Sequence, residues 1–189
     1  YILSIYGQRM EDFKILAQKA NASSALAIEL NISCPNVAKG GLEFSSDART
    51  TEELVKAVKR EVKKPLWVKL SPNVTAIAEI AVAAETGGAD ALTLINTILG
   101  MAIDIEAPKP WLARKVGGLS GPAIRPIALE RLFRCYQKVK IPLVGSGGIH
   151  SDRDAIEFFL AGASAVQIGT WNFRDPFVYE KLCHEIAAY

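Results

Sequence analysis

Six short apolar runs, separated by stretches whose apolar residues recur every three or four positions, leave this chain few folds to adopt. The runs are Ile2–Tyr6, Leu26–Leu30, Leu66–Leu70, Ala91–Ile95, Ile141–Gly145 and Ala165–Ile168. Each is too short for a helix, and together they predict six strands. The intervening faces are Met10, Phe13 and Leu16; Leu54, Val58 and Val62; Ile77, Ile80 and Ala84; Leu129, Leu132 and Tyr136; and Ile156, Phe159 and Leu160. Strands alternating with amphipathic helices define an α/β fold built on a parallel sheet. Thr50-Thr51-Glu52-Glu53 has the spacing of a capping box, and Ser151-Asp152 can cap a helix entering at Arg153. Gly87-Gly88-Ala89-Asp90 and Ala161-Gly162-Ala163-Ser164 read as two copies of one helix-to-strand turn.

About six such units fit a (β/α)8 TIM barrel, which needs eight. Tyr1 opens almost directly into a strand with no initiator Met, so two preceding units, on the order of 90 residues, are expected ahead of it. A doubly wound open sheet would carry a glycine fingerprint after its first strand, and none follows Ile2–Tyr6. No linker-like or low-complexity stretch divides the chain, which reads as one domain over residues 1–189.

Half of the residues are apolar, enough for a substantial core. The 22 basic and 20 acidic residues are scattered, so neither a nucleic acid nor another polyanion is indicated as a partner. No apolar run approaches the roughly 20 residues of a membrane span, and signal-peptide grammar is missing. Cys34, Cys135 and Cys183 are odd in number and far apart, which argues against disulfides and against a metal or iron–sulfur site in this chain. The cytoplasm is the expected compartment. Cys135 and Cys183, on amphipathic stretches, read as packing residues.

Chemistry-bearing residues collect where strands end. Glu29-Leu30-Asn31-Ile32-Ser33-Cys34-Pro35-Asn36-Val37 runs from an apolar strand into two carboxamides, a hydroxyl and a thiol, and Pro35 restricts the cysteine backbone to extended conformations. A thiol of pKa about 8.5 serves as a base or nucleophile where its site suits that value. His150 and His184 have no setting that suggests a Cys-His pair, so Cys34 is the leading candidate base. Lys69 sits inside an apolar strand, where an unpaired ammonium is costly, and is expected to face the barrel mouth as a fixed charge for an anion. Asn96-Thr97 adds donors and acceptors at another strand end. Gly145-Ser146-Gly147-Gly148 and Gly169-Thr170 follow the last two strands, with Asp152 and Pro176 beyond them, and suggest a phosphate site. In barrels that site commonly lies after strands seven and eight.

These stretches, together with Lys39-Gly40-Gly41, Leu99-Gly100-Met101-Ala102-Ile103-Asp104 and Gly117-Gly118-Leu119-Ser120-Gly121-Pro122-Ala123, closely resemble class 1 dihydroorotate dehydrogenases, the B subclass in particular, over essentially the whole chain. The resemblance implies a flavoprotein barrel with FMN that oxidises dihydroorotate to orotate in pyrimidine biosynthesis. Cys34 would take the proton from C5 while C6 gives hydride to flavin N5. Asn31, Asn36, Asn96 and Thr97 would hold the substrate, Asn31 also touching the flavin. Lys69 would sit by the flavin N1/C2 carbonyl. Ile95, Gly121, Gly147, Gly148, Gly169 and Thr170 would line FMN, the last four around its phosphate. Ser4 stands where the family often has Asn. The family's flavin Lys and substrate-loop Asn from the first two units have no counterpart, so this segment alone is expected to be inactive. A homodimer is expected, as is a second subunit carrying FAD and a 2Fe–2S cluster that passes electrons to NAD. Two other readings stand beside this one: a dihydropyrimidine dehydrogenase-type barrel, which usually has His where Asn36 stands, and a non-catalytic FMN- or phosphate-binding barrel.

Overall fold

In a computed structural model of the protein, residues 1–33, 41–187 and 189 are described. In chain order the elements are β1 (Ile2–Ile5), α1 (Met10–Asn21), β2 (Ala27–Asn31), α2 (Gly41–Ser46), α3 (Ala48–Lys59), β3 (Leu66–Lys69), α4 (Ile77–Thr86), β4 (Ala91–Leu94), β5 (Ile98–Gly100), β6 (Ile103–Asp104), β7 (Lys109–Pro110), β8 (Gly117–Leu119), α5 (Arg125–Tyr136), β9 (Leu143–Ser146), α6 (Asp152–Leu160), β10 (Ala165–Gln167) and α7 (Val178–Ala187). Six strands form one sheet in the order β1-β2-β3-β4-β9-β10, and every neighbouring pair is parallel. This order follows the chain without the reversal that marks a doubly wound fold, which leaves a barrel wall.

The curl of the wall follows from one hydrogen bond. Gln167 on β10 donates through Nε2 to Glu29 Oε2 on β2 at 3.1 Å. These strands are four steps apart in the sheet, about 19 Å if it were flat at the usual strand spacing. The sheet must therefore bend round so that their inner faces meet.

Register divides the two faces. Ile28 pairs with Leu66, Leu30 with Val68, Val68 with Leu92, and Leu92 with Leu143, all fully buried or nearly so under the helices. Gly145 lies in the same row because Phe158 of α6 presses on it: a Cβ there would stand 2.4 Å from the ring. The other face carries Glu29, Asn31, Lys69 and Thr93, so the barrel lining is polar where the outer face is aliphatic. A strand apolar on one face only would alternate strictly; these read as nearly continuous apolar runs because small or aliphatic residues such as Ala27 and Ala91 fill the lower inner positions.

Both repeated turns are Schellman endings. Ala89 N–H reaches Ala84 O at 3.0 Å and Ala163 N–H reaches Phe158 O at 2.9 Å, with Gly88 at φ +99° and Gly162 at φ +107°. The next residue then joins a strand edge in each case, Asp90 N–H to Leu66 O and Ser164 N–H to Leu143 O, both at 2.7 Å.

Four local expectations are corrected. The cap of α3 is Asp47, three residues before Thr50, and its carboxylate accepts the Thr50 N–H at 2.8 Å; Thr50 is thus inside the helix it was expected to start. On α5 the buried face is Ala128, Leu132 and Cys135, leaving Tyr136 exposed, and on α6 it is Asp154, Ala155 and Phe158, leaving Phe159 and Leu160 facing out. Both helices are rotated by about one residue from the most apolar stripe, because small residues allow them to approach the sheet more closely. Cys135 packs in the core but Cys183 is exposed. Between β4 and α5 the chain makes two small antiparallel pairs, β5 with β8 and β6 with β7, which strand-length apolar runs do not signal.

Candidate active site

The carboxyl ends of β3, β4, β9 and β10 and the loop after β8 surround a cavity of about 120 Å³. Lys69, the last residue of β3, enters its wall beside Ile95, Asn96 and Thr97 from the end of β4. Gly121, Gly147, Gly148, Gly169 and Thr170 line the same cavity with main chain. The fold thus gathers these sequence-predicted residues around one space. Asn31 is joined to them indirectly, through Asn96. Cys34 and Asn36 lie outside the described residues.

Parallel pairing explains the polar wall. Asn31 is registered with Lys69 and Lys69 with Thr93, so one inward row carries a carboxamide, an ammonium and a hydroxyl. Asn96 Nδ2 donates to Ser33 Oγ at 2.9 Å and to Asn31 Oδ1 at 3.4 Å, while Asn96 Oδ1 accepts the Thr97 N–H at 2.8 Å. Asn31 Oδ1 also accepts the Ser33 hydroxyl at 3.0 Å, which fixes that amide with its NH2 group turned away from the pair. The Lys69 ammonium takes part in none of the ion pairs among the described residues. It is available to an anion brought into the cavity.

The glycine wall is shaped for close approach. Gly147 and Gly148 have φ of +133° and +80°, and Gly121 has φ +87°. A Cβ on Gly169 would meet nothing within 4 Å, so that backbone borders open space. Among the described residues, the N–H groups of Gly147, Gly148, Gly169 and Thr170 find no backbone acceptor. Unpaired N–H groups on left-handed or side-chain-free backbone make an anion cradle. The Thr170 hydroxyl donates to Ser120 Oγ at 2.8 Å and closes this wall onto the strand end of β8.

Several contributors were not singled out from the sequence. Glu29 is 5% exposed and accepts from Ser4 Oγ at 3.3 Å, Thr93 Oγ1 at 2.8 Å and Gln167 Nε2 at 3.1 Å. One carboxylate thereby ties four strands beneath the cavity, and Gln167 itself reaches the cavity wall. Ser4, noted in the sequence only as a departure from an Asn common in the family, serves as one of its donors. The signal was present: a charged residue within an apolar strand, the same argument that singled out Lys69. Asn73, just beyond β3, accepts the Leu99 N–H at 2.9 Å and donates to Thr97 O at 3.1 Å, and so steadies the strand end that carries Asn96-Thr97. Gly118 of β8 backs the Thr97 side chain so closely that a Cβ would lie 2.2 Å from its hydroxyl.

The family model described as dihydroorotate dehydrogenase matches residues 1–189. The catalytic subunit named dihydroorotate dehydrogenase B (NAD(+)) from Carboxydothermus hydrogenoformans is 49% identical over 189 residues, covering all of this chain and 62% of the relative. The subunits of the same name from a Geobacillus species and from Bacillus cereus are 52% and 50% identical, over 98% and 99% of this chain and 59% and 61% of their own lengths. The chain therefore spans about three fifths of the curated relatives it matches. The crystal structure of DHODH in complex with ferulenol from Eimeria tenella shares the fold at TM-score 0.81 and 22% identity, covering 96% of this chain and 54% of that one.

Proposed function

The chain belongs to the dihydroorotate dehydrogenase family, and from that membership we propose that the protein carrying it oxidises dihydroorotate to orotate in pyrimidine biosynthesis with FMN as its cofactor. The observation that carries this reading is a cavity lined both by Lys69, whose ammonium is in no ion pair among the described residues, and by glycine N–H groups that find no backbone acceptor among them. That donor set suits a planar ring bearing a phosphate: Gly147, Gly148, Gly169 and Thr170 would take the phosphate, while Lys69, Ile95 and Gly121 would border the ring. Bound FMN supplies the acceptor, at N5, for the hydride that leaves C6 of the substrate.

Residues of this chain act on the substrate beside it. Cys34, as thiolate, takes the proton from C5, so the C5–H and C6–H bonds are replaced by one C=C bond and an electron pair leaves with the hydride. Asn31, Asn36, Asn96 and Thr97 hold the substrate ring and carboxylate. The Ser33–Asn31–Asn96 hydrogen bonds fix the two described carboxamides before substrate arrives, which removes their ordering from the cost of binding. Lys69 offsets negative charge that develops on the ring.

Residues 1–189 act in this reading as one FMN-binding domain of a cytoplasmic enzyme. Among the described residues no helix is long and apolar enough to cross a membrane. The names of the relatives, catalytic subunits of an NAD(+) enzyme, support a partner subunit and NAD as acceptor; the FAD, the 2Fe–2S cluster and the homodimer are carried into the proposal by the family resemblance alone. Electrons pass to a partner subunit with FAD and a 2Fe–2S cluster, then to NAD, and the catalytic subunit is a homodimer.

The test is anaerobic reduction. The whole protein is expected to purify yellow and to bleach on addition of dihydroorotate but not of dihydrouracil; unchanged flavin absorbance with dihydroorotate refutes the proposal. Replacing Cys34 with Ala should leave FMN bound and slow bleaching by roughly a hundredfold or more.

A further inference from the structure

Asp154 is a buried carboxylate that the reaction does not use. It is 2% exposed, at the third position of α6, directly behind the glycine loop that follows β9. Capping α6 needs little of what it does. The reciprocal bonds with Ser151, Asp154 N–H to Ser151 Oγ at 3.3 Å and Ser151 N–H to Asp154 Oδ2 at 2.9 Å, complete the capping box. The remaining contacts reach out of the helix. Oδ2 also accepts the His150 N–H at 3.0 Å and lies 2.7 Å from His150 Nδ1, and Oδ1 pairs with the guanidinium of Arg125, the first residue of α5. Arg125 turns a second nitrogen to Glu157 at 3.2 Å, so it is stapled to α6 at two points.

This staple holds together two of the three loops that form the glycine wall, those after β8 and β9. Gly148 nests against Arg125 and the loop before it: a Cβ on Gly148 would lie 2.8 Å from Arg125 N and 2.9 Å from Gly121 O. The φ of +80° at Gly148 and +87° at Gly121 are compatible with that nesting, and both residues border the cavity. Were α5 and α6 to slide apart at their N-termini, the loops would separate and the N–H groups of Gly147 and Gly148 would no longer share one target. A buried carboxylate joined to a guanidinium resists such sliding, because separation strands a charge in a site with little water.

We propose that Asp154, through Arg125 and the His150 amide, is the positioning residue that sets the glycine loop for the phosphate of the bound flavin. It touches no ligand; it decides whether the loop's N–H groups converge. The proposal rests on the FMN reading above and makes a claim that reading does not: the contribution of Asp154 depends on the phosphate and not on the ring.

The experiment compares two ligands that differ only in that group. Apoprotein prepared from the whole flavin-bound protein is titrated with FMN and with riboflavin, following quenching of flavin fluorescence, for the wild type and for Asp154→Asn. The wild type should prefer FMN. Asp154→Asn keeps the side-chain shape and one accepting oxygen, and is expected to weaken FMN binding by tenfold or more while riboflavin affinity stays within about twofold, the difference reflecting a lost charge-assisted contact. Arg125→Gln, at a half-buried partner, should give the same selective loss, and the double variant little more; this second variant carries the test if Asp154→Asn does not fold. A variant that retains the wild-type FMN-to-riboflavin ratio, or loses both ligands in equal proportion, overturns the proposal. A wild type that binds the two ligands equally refutes the phosphate site itself.

Discussion

Gly169→Ala separates a site from a scaffold more cleanly than any other single change in this chain. The added methyl enters open space, since no protein atom lies within 4 Å of an ideal Cβ there, and the residue's φ of −102° is on the side that L residues adopt, with ψ of −85° just beyond the helical region. The folded protein should therefore hardly notice it, with a stability change within about 0.5 kcal/mol. The bound cofactor should notice it. The methyl stands at the cavity wall beside the Gly169 and Thr170 N–H groups, and pushing a phosphate off one of them forfeits a hydrogen bond to a charged group, about 1.5–3 kcal/mol, or roughly 10- to 150-fold in Kd. Gly148→Ala is the contrast. Its φ is +80° and its Cβ would strike two main-chain atoms, Arg125 N at 2.8 Å and Gly121 O at 2.9 Å. A left-handed alanine costs about 1–2 kcal/mol and overpacking about 1–3 kcal/mol more. That variant should lose thermal stability as well as cofactor. The assays are thermal unfolding of the apoprotein and fluorescence titration with FMN. A Gly169→Ala protein that binds FMN as tightly as the wild type, or that is destabilised more than Gly148→Ala, refutes the assignment of this wall.

Three more outcomes are expected. Glu29→Ala leaves Ser4, Thr93 and Gln167 without their shared acceptor and should cost roughly 2–5 kcal/mol in urea unfolding; an unchanged midpoint would show that the inner ring of bonds carries no stability. Burial pushes the Cys135 thiol up to about 12, so at pH 8 only about one molecule in ten thousand is thiolate there; iodoacetamide with peptide mapping should label exposed Cys183 and spare Cys135, and equal labelling refutes this. Hydrogen bonds from the Thr50 amide and hydroxyl hold the Asp47 carboxyl below the ordinary value. Its stabilisation is therefore complete above a pH of about 4 and is lost as pH falls through the lower folded value. The Tm gap between wild type and Asp47→Ala should be open at pH 7 and narrow in strong acid, and a gap independent of pH would show that the charge is irrelevant.

Much of the site was legible because strand ends and glycines are local signals. The turn after β9 must be Gly147-Gly148 whatever lies opposite, since both residues adopt positive φ, and Lys69 announces itself as a charge within an apolar strand. The same rule applied to Glu29 and Gln167 would have found the inner ring, but what those residues bind is not local: the partners are 138 positions apart and meet because the sheet curls. The rotations of α5 and α6 were misjudged for a related reason. Apolar periodicity identifies an amphipathic helix, yet the face that docks is the one whose small residues, Ala128 and Ala155, allow close approach, and Tyr136 and Leu160 are left outside.

By itself, the sequence determined the alternation of strand and helix, the two glycine-ended turns, the cap of α6 and the residue types delivered to the active face. Each depends on backbone preferences and side-chain spacing within a few residues. The tertiary structure alone decided that Glu29 is satisfied by three other strands and that Asp154 clasps Arg125 behind the glycine loop. Those contacts join residues far apart in the chain, and their energies exist only once burial has excluded water from between them.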